Sequence, residues 1–423
     1  MTKIYLIVVF TMCIHVSRSQ NQEINMNRDS LILTIHDAED SFLSKNLALI
    51  AQQYSIDSAK ATVITAKLWD NPELDYSNAF YNFQEHHFFE PEMSIQVSQL
   101  VRLAGKRNKA INLARSGIDV AQFQFYDLLR TLRYILRNDF YNIYFLEQSS
   151  KLYDLEISSL QKIIAPMQEQ VSKGYLAPID VLRVQSQLYT LQAEYDALQT
   201  NIENVQTELK LIIRTPSNTF IIANADTSML YHNVVSGINY QDLIDTAISQ
   251  RPDLKQLTST IAFNQNNLTL QKALAKPDIT VGANYDRLGS YVKDYNSIGV
   301  GIPLPLFNRN QGNIKNAQIA VDQSKIQYES GLDKVKSDVT SGYMIAMRAE
   351  KLLQSFDPSF DDNNRKMIEQ VSVNFQKKNI TMLEFLDFYD SYKQNVLQLN
   401  QLRYNKMSAL EQLNFSTGKI IFN

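Results

Sequence analysis

The sequence predicts a mixed fold: a membrane β-barrel continued by a long α-helical barrel, built from one strand–strand–helix–helix unit used twice. Three observations predict it. The first is an internal repeat. Pro72 in Asn71-Pro72-Glu73-Leu74 answers Pro277 in Lys276-Pro277-Asp278-Ile279, 205 residues on; Gly105 answers Gly312 at an offset of 207, and Leu182 answers Leu386 at 204. A period this long is a duplicated unit and not a solenoid. The second is a pair of alternating segments in each half. The third is helical stretches far longer than the three turns that globular helices average. In chain order the sequence divides into a signal peptide (1–19), a first repeat (20–217, strands at about 73–101), a connecting equatorial segment (218–240) and a second repeat (241–423, strands at about 277–307).

The N-terminus has the form of an export signal. Lys3 supplies the positive end, Ile4 to Val16 is a mostly apolar run, and Ser17-Arg18-Ser19 places small residues where a signal peptidase cuts, ahead of Gln20. Cys13 is the only cysteine, and Phe10-Thr11-Met12 before it makes no lipoprotein cleavage box, so an unacylated mature chain without disulfide or thiolate metal site is expected. No later stretch reaches about 18 consecutive apolar residues, so this exported chain enters a membrane as strands if it enters one at all. With 41 basic and 44 acidic residues, a nucleic-acid partner has no electrostatic support. Tyr and Phe are plentiful at 22 and 20, against one Trp, a mild pointer to a membrane–water interface.

The strands are read from period-two alternation. Ile279, Val281, Ala283 and Tyr285 face one way and Thr280, Gly282 and Asn284 the other; Ser297 to Phe307 sets Ile298, Val300, Ile302, Leu304 and Leu306 opposite Gly299 and Gly301. Met93, Ile95 and Val97 alternate with Ser94, Gln96 and Ser98, and Leu74 to Phe83 is a weaker candidate. Strands of about 9–11 residues cross a bilayer when tilted. One chain then offers four strands, and a membrane tolerates no open sheet edge. Two chains would make a plugged barrel of about eight strands; a channel favours three chains and a trimeric twelve-stranded barrel.

The helices are read from length and seam. From Leu103 to Ile164 there is no Pro, and sixty residues of helix span roughly 90 Å. Leu188, Leu191, Tyr195, Leu198, Ile202, Val205, Leu209 and Ile212 keep 3-4 spacing, and an offset of 204 lands on Tyr392, Leu399, Leu402, Ala409 and Leu413. Asn218 to Asn239 reads as a collar packed on the helices.

Gly301 to Ile314 ("GIPLPLFNRNQGNI"), Arg251 to Leu254 ("RPDL"), Asn71 to Leu74 ("NPEL"), Leu103 to Ala114 ("LAGKRNKAINLA") and Gly174 to Leu188 ("GYLAPIDVLRVQSQL") resemble the TolC-like outer-membrane factor family, in its CzcC/CusC-type cation-efflux branch. The resemblance covers nearly the whole mature chain. It implies a homotrimer in outer-membrane lipid with the helical barrel in the periplasm, docked on a periplasmic adaptor and an inner-membrane efflux transporter. It also implies export of small toxic compounds, heavy-metal cations among them, with no catalysis and no cofactor. A type I protein-secretion duct and a periplasmic coiled-coil scaffold are the alternatives. No Ser-His-Asp set, P-loop or metal motif argues for an enzyme. His86-His87 in "FQEHHFFEPE" is the one histidine pair, and a plain surface loop is its simpler reading.

Two helix breaks, at Gly174–Asp180 and Asn379–Glu384, occupy matching points of the repeat and are expected at the far tip. Gly174, Tyr175, Leu176, Asn379 and Ile380 are the expected adaptor contacts. By the resemblance, the acids here, Glu384, Asp387 and Asp180, line a constriction, where copies from three protomers would form rings that hold cations. Arg183, Lys377 and Lys378 are the candidate partners of these acids. The competing reading is solvated charge at a helix N-terminus, where acids are favoured anyway.

Overall fold

The computed structural model describes residues 29–78, 81–82, 87–88, 93–232, 234–288, 292–357 and 359–422. The export signal, Cys13, His86 and the side chain of His87 lie outside the described residues. The chain opens with β1 (Ser30–Leu33), α1 (Ile35–Lys45) and α2 (Leu47–Lys67), followed by β2 (Glu73–Asn78), β3 (Tyr81–Asn82), β4 (His87–Phe88) and β5 (Met93–Val101). Then come α3 (Lys106–Ser172), α4 (Pro178–Ile213), β6 (Phe220–Ala223) and α5 (Met229–His232). The second half runs α6 (Tyr240–Gln250), α7 (Pro252–Leu274), β7 (Ile279–Asp286), β8 (Tyr295–Gly301), α8 (Gln311–Gln354), α9 (Phe360–Gln376) and α10 (Met382–Thr417).

The four long strands form one antiparallel sheet in the order β2-β5-β7-β8. Its register decides what alternation alone could not. Leu74 faces Val97, Val97 faces Ala283 and Ala283 faces Ile298; Gln99 and Val300 both face Val281. Side chains on paired residues share a face. Leu74, Tyr76, Ile95, Val97, Val281, Ala283, Ile298 and Val300 therefore make one apolar face, with Ser94, Gln96, Ser98, Gly282, Asn284 and Ser297 on the other. Ile298 is 83% exposed and Leu74 68%, so among the described residues no element covers the apolar face. β2 and β8 are the edges of the described sheet.

β8 ends at Gly301 and not near Phe307 as the alternation suggested. Pro303 and Pro305 have no N–H to donate to a ladder, so Leu304 and Leu306 keep the parity but leave the sheet. β2 likewise stops at Asn78. The parallel pair β1–β6, with Ser30 opposite Phe220 and Leu33 opposite Ala223, has no counterpart in the sequence reading. It ties the connecting segment to the N-terminal end, and Ile221 is fully buried there. Leu230 and Val235 of that segment are buried against the helices.

α3 runs 67 residues, about 100 Å at the α-helical rise. It packs against α2, α4, α7 and α10, while α8 packs against α7 and α10. The second half is not a copy here: α8 stops at Gln354 and α9 restarts at Phe360, where α3 is continuous. Asp357 closes the gap by accepting from the Ser359 amide (2.9 Å) and hydroxyl (2.8 Å). The seam residues Leu188, Leu191, Ile202, Leu209 and Ile212 are buried, and so are Tyr392, Leu399, Ala409 and Leu413. No helix among the described residues is long and apolar enough to cross a membrane.

Candidate functional site

The site is built at the end of the helices farthest from the sheet. α3 closes with a left-handed residue, Gly174 at φ 75°, whose amide donates to Val171 O (3.0 Å), while the Tyr175 amide donates to Gln170 O (2.9 Å). α9 closes the same way. Lys378 stands at φ 60°, its amide donating to Phe375 O (3.0 Å), and the Asn379 amide donates to Asn374 O (2.9 Å). Both are Schellman turns, with Gly174 and Lys378 204 positions apart. Glycine adopts this conformation freely and lysine does not, so the second tip carries strain that the first avoids. Leu176 and Ile380, also 204 apart, tuck into one shared hydrophobic cluster with Val181, Val184, Val371 and Phe385. Phe385 is fully buried and stacks on Phe375, ring centroids 4.4 Å apart. The two tips are thus neighbours, and of the five tip residues Gly174, Tyr175 and Asn379 are exposed.

Glu384 lies inside α10 and not in the break. Its Oε2 accepts from the Thr381 amide (2.7 Å) and hydroxyl (2.8 Å), and its own amide donates to Thr381 Oγ1 (3.2 Å), a closed capping box. The hydrogen bond from the Thr381 amide, then that from its hydroxyl, holds the carboxyl below the usual range. Asp387 is exposed one turn later, and Asp180 is half-buried in the first turn of α4. Arg183, Lys377 and Lys378 are exposed, and no ion pair among the described residues joins them to these acids. The structure gathers the acids at one end and leaves the expected pairing unmade within a protomer.

Above the tip sits a charge cluster that sequence reasoning missed. Lys393 on α10 is 2% exposed; its Nζ donates to Glu194 Oε2 on α4 (2.9 Å) and pairs with Asp390 (3.1 Å). Tyr153 of α3 donates to the same Glu194 oxygen (3.2 Å). Glu156, 3% exposed, has no hydrogen-bond partner for Oε1. Burial pushes its carboxyl up to about 8, with Asp390 and Glu194 adding and Lys393 opposing. The only signal was Lys393 standing next to the seam residue Tyr392.

Two more contacts lock the halves together, Lys106–Asp278 and Arg137–Glu411, and a third, at Arg251, ties the second half to itself. Lys106 Nζ, buried, reaches Asp278 Oδ1 (2.7 Å), which also accepts from the Leu103 amide (2.8 Å). Arg137 Nε donates to Glu411 Oε1 (2.8 Å) and its Nη1 to Glu39 Oε1 (3.0 Å). Arg251 of the "RPDL" motif is 1% exposed, forks onto Asp253 (3.0 and 2.6 Å) and reaches Asp338 (2.9 Å). The helices that leave the sheet also start alike. Gly105 (φ 67°) and Asn310 (φ 58°) are left-handed N-cap residues, 205 apart, so Asn310 and not Gly312 is the counterpart of Gly105. Gly312 is the second residue of α8.

A one-sided sheet rooted on helices of this length, with paired turns at the far end, is a fold shared with solved outer membrane channels. Residues 243–419 match the family model described as outer membrane efflux protein. It is 21% identical to the cobalt-zinc-cadmium resistance protein CzcC of Cupriavidus metallidurans, over 70% of this chain and 68% of that one. It is 18% identical to the pyoverdine export outer membrane protein OpmQ of Pseudomonas putida, over 83% and 75%. In fold it is similar to the CmeC outer membrane channel of Campylobacter jejuni, with TM-score 0.75 and 12% identity over 92% of this chain and 87% of that one. For CusC the values are 0.72, 15%, 91% and 92%.

Proposed function

We propose that this chain is the outer-membrane channel subunit of a tripartite efflux system. Three copies close a twelve-stranded barrel and a periplasmic helical barrel, joined to a periplasmic adaptor and an inner-membrane transporter. The observation that carries the reading is the open sheet: among the described residues, four strands with unpaired edges at β2 and β8 and a bare apolar face. Such edges are sealed in a membrane only by closure between copies. The cargo is small toxic compounds, with heavy-metal cations first among them. The similarity to a cobalt-zinc-cadmium resistance protein supports that choice, and the acids gathered at the tip suit a cation path. On this reading Glu384, Asp387 and Asp180 from three protomers form the constriction, and Gly174, Tyr175, Leu176, Asn379 and Ile380 meet the adaptor. The chain then comprises two repeats, 20–217 and 241–423, around the connecting segment 218–240.

Detergent-purified protein is expected to have the mass of a trimer and to conduct in a planar bilayer. A monodisperse, water-soluble monomer would overturn the proposal.

A further inference from the structure

Trp69, the only tryptophan of the chain, is 68% exposed just ahead of β2. The Arg107 guanidinium sits over its ring, 4.7 Å from the centroid, and is itself anchored on the Lys67 carbonyl by Nε (2.9 Å) and Nη2 (2.5 Å). Leu68 beside it is 62% exposed. Just past the end of β8 stand Leu304, Leu306 and Phe307, 73%, 63% and 92% exposed. The topology places both groups at one end of the sheet, where β2 and β7 begin, β5 and β8 end and the long helices start.

The charge at this end is one-sided. Lys67, Arg102, Lys276 and Arg309 are exposed there and Arg107 is half-buried, against Asp70 and Glu73. Arg102 is held by Asp70 (2.6 Å), and the buried Lys106 and Asp278 cancel each other. Among the described residues of the opposite end, Asp286, Arg287, Lys293 and Asp294 balance. A chain with overall charge −3 thus concentrates positive charge next to an exposed tryptophan and a run of exposed Leu and Phe. Amphipathic rings settle at the headgroup level, and basic side chains beside them attract anionic lipid.

We propose that the helix-proximal end of the sheet is a docking belt for anionic phospholipid of the inner leaflet of the outer membrane. Trp69 lies at the headgroup level, Leu304, Leu306 and Phe307 lie in the acyl region, and Arg107, Lys276 and Arg309 face the phosphates. The inference rests on the orientation given above, with the helices on the periplasmic side.

Trp69 reports on its own test. Trimers that conduct are reconstituted in phosphatidylcholine vesicles containing an equal mole fraction of either brominated phosphatidylglycerol or brominated phosphatidylcholine, and tryptophan emission is read. Both quenchers are expected to act. Phosphatidylglycerol should act roughly two- to five-fold more strongly, since a basic residue near the surface is worth about 1 kcal/mol towards anionic lipid. Lys276→Gln with Arg309→Gln, both at exposed positions, should bring the anionic quencher down to the level of the neutral one while conductance is unchanged; Arg107→Gln should act in the same direction. Absence of quenching by either lipid in conducting trimers would mean that Trp69 is covered by a neighbouring copy or faces the lumen, and the belt would be abandoned. Equal quenching by the two lipids would overturn the anionic preference. Failure to form conducting trimers would instead strike at the proposed function.

Discussion

At the scale of single residues, the tip shows one acid serving a local purpose that its charge alone does not reveal. Glu384 is the third residue of α10, and a carboxylate and a carboxamide can both close a capping box. The two roles separate by substitution. Glu384→Gln keeps the cap and removes the charge, so a charge-selective constriction predicts loss of cation preference in single-channel current with most of the thermal stability retained. Glu384→Ala removes both and should also lower the melting midpoint. If Gln leaves the cation preference intact, Glu384 is a cap only. Because its folded-state titration lies below the ordinary carboxylate range, its contribution is complete at neutral pH and is lost as pH falls through that lowered value. Lys378 makes the second residue-scale prediction. A non-glycine residue in the left-handed region costs about 1 kcal/mol, so Lys378→Gly should raise stability by about that amount in denaturant titration. Gly174→Ala should lower it by a similar amount. An unchanged midpoint for Lys378→Gly would show that the lysine is unstrained.

At the scale of elements, Glu156 gives the wall of the helical section a pH dependence. It faces Lys393 and Asp390 from α10 and Glu194 from α4, with Tyr153 on its own helix. Folding raises its titration point from 4.5 to about 8. In that window the folded state holds a proton that the unfolded state has lost, so stability falls as pH rises between these values. Glu156→Gln should abolish that decline, and melting temperature followed across the same window checks it. A slope identical to wild type would place the titration elsewhere. The seam of α4 and α10 was legible because apolar spacing follows helix geometry whatever the partner. Glu156 and Lys393 were not, because a charge beside a seam reads as solvated until a third helix covers it.

At the scale of the whole molecule, the duplicated halves are bolted to each other by charge. Arg137 belongs to the first repeat and Glu411 to the second, each about 4% exposed at the side chain. Burial pushes the Glu411 carboxyl up even as Arg137 pulls against it. Removing one partner of a buried pair leaves an uncompensated charge and typically costs about 3–5 kcal/mol, while replacing both by apolar groups is often near neutral. Arg137→Met is therefore expected to destabilise strongly, and Arg137→Met with Glu411→Leu to recover most of the loss, read as denaturant midpoints. If the double variant is no better than the single, the pair is not an isolated unit and Glu39, 3.0 Å from Arg137, carries the coupling.

The sequence by itself carried the strand alternation of Ile95, Val97, Val281 and Ile298 and the apolar seam of α4 and α10, because each is a periodicity the backbone imposes on any chain that folds this way. It placed the tip turns to within a few residues, since Gly174 and the acids after each break are local signals. Only the tertiary structure decided the rest. Register set Leu74, Val97, Ala283 and Ile298 on one face, because a side chain's face depends on its partner strand. Backbone conformation made Asn310 the counterpart of Gly105, because shared φ values and not shared residue type define the equivalence. The pairing of Lys106, Arg137, Arg251 and Lys393 across long sequence separations emerged only in three dimensions. A charge's partner there is fixed by which helices touch, and nothing in the neighbouring residues encodes that.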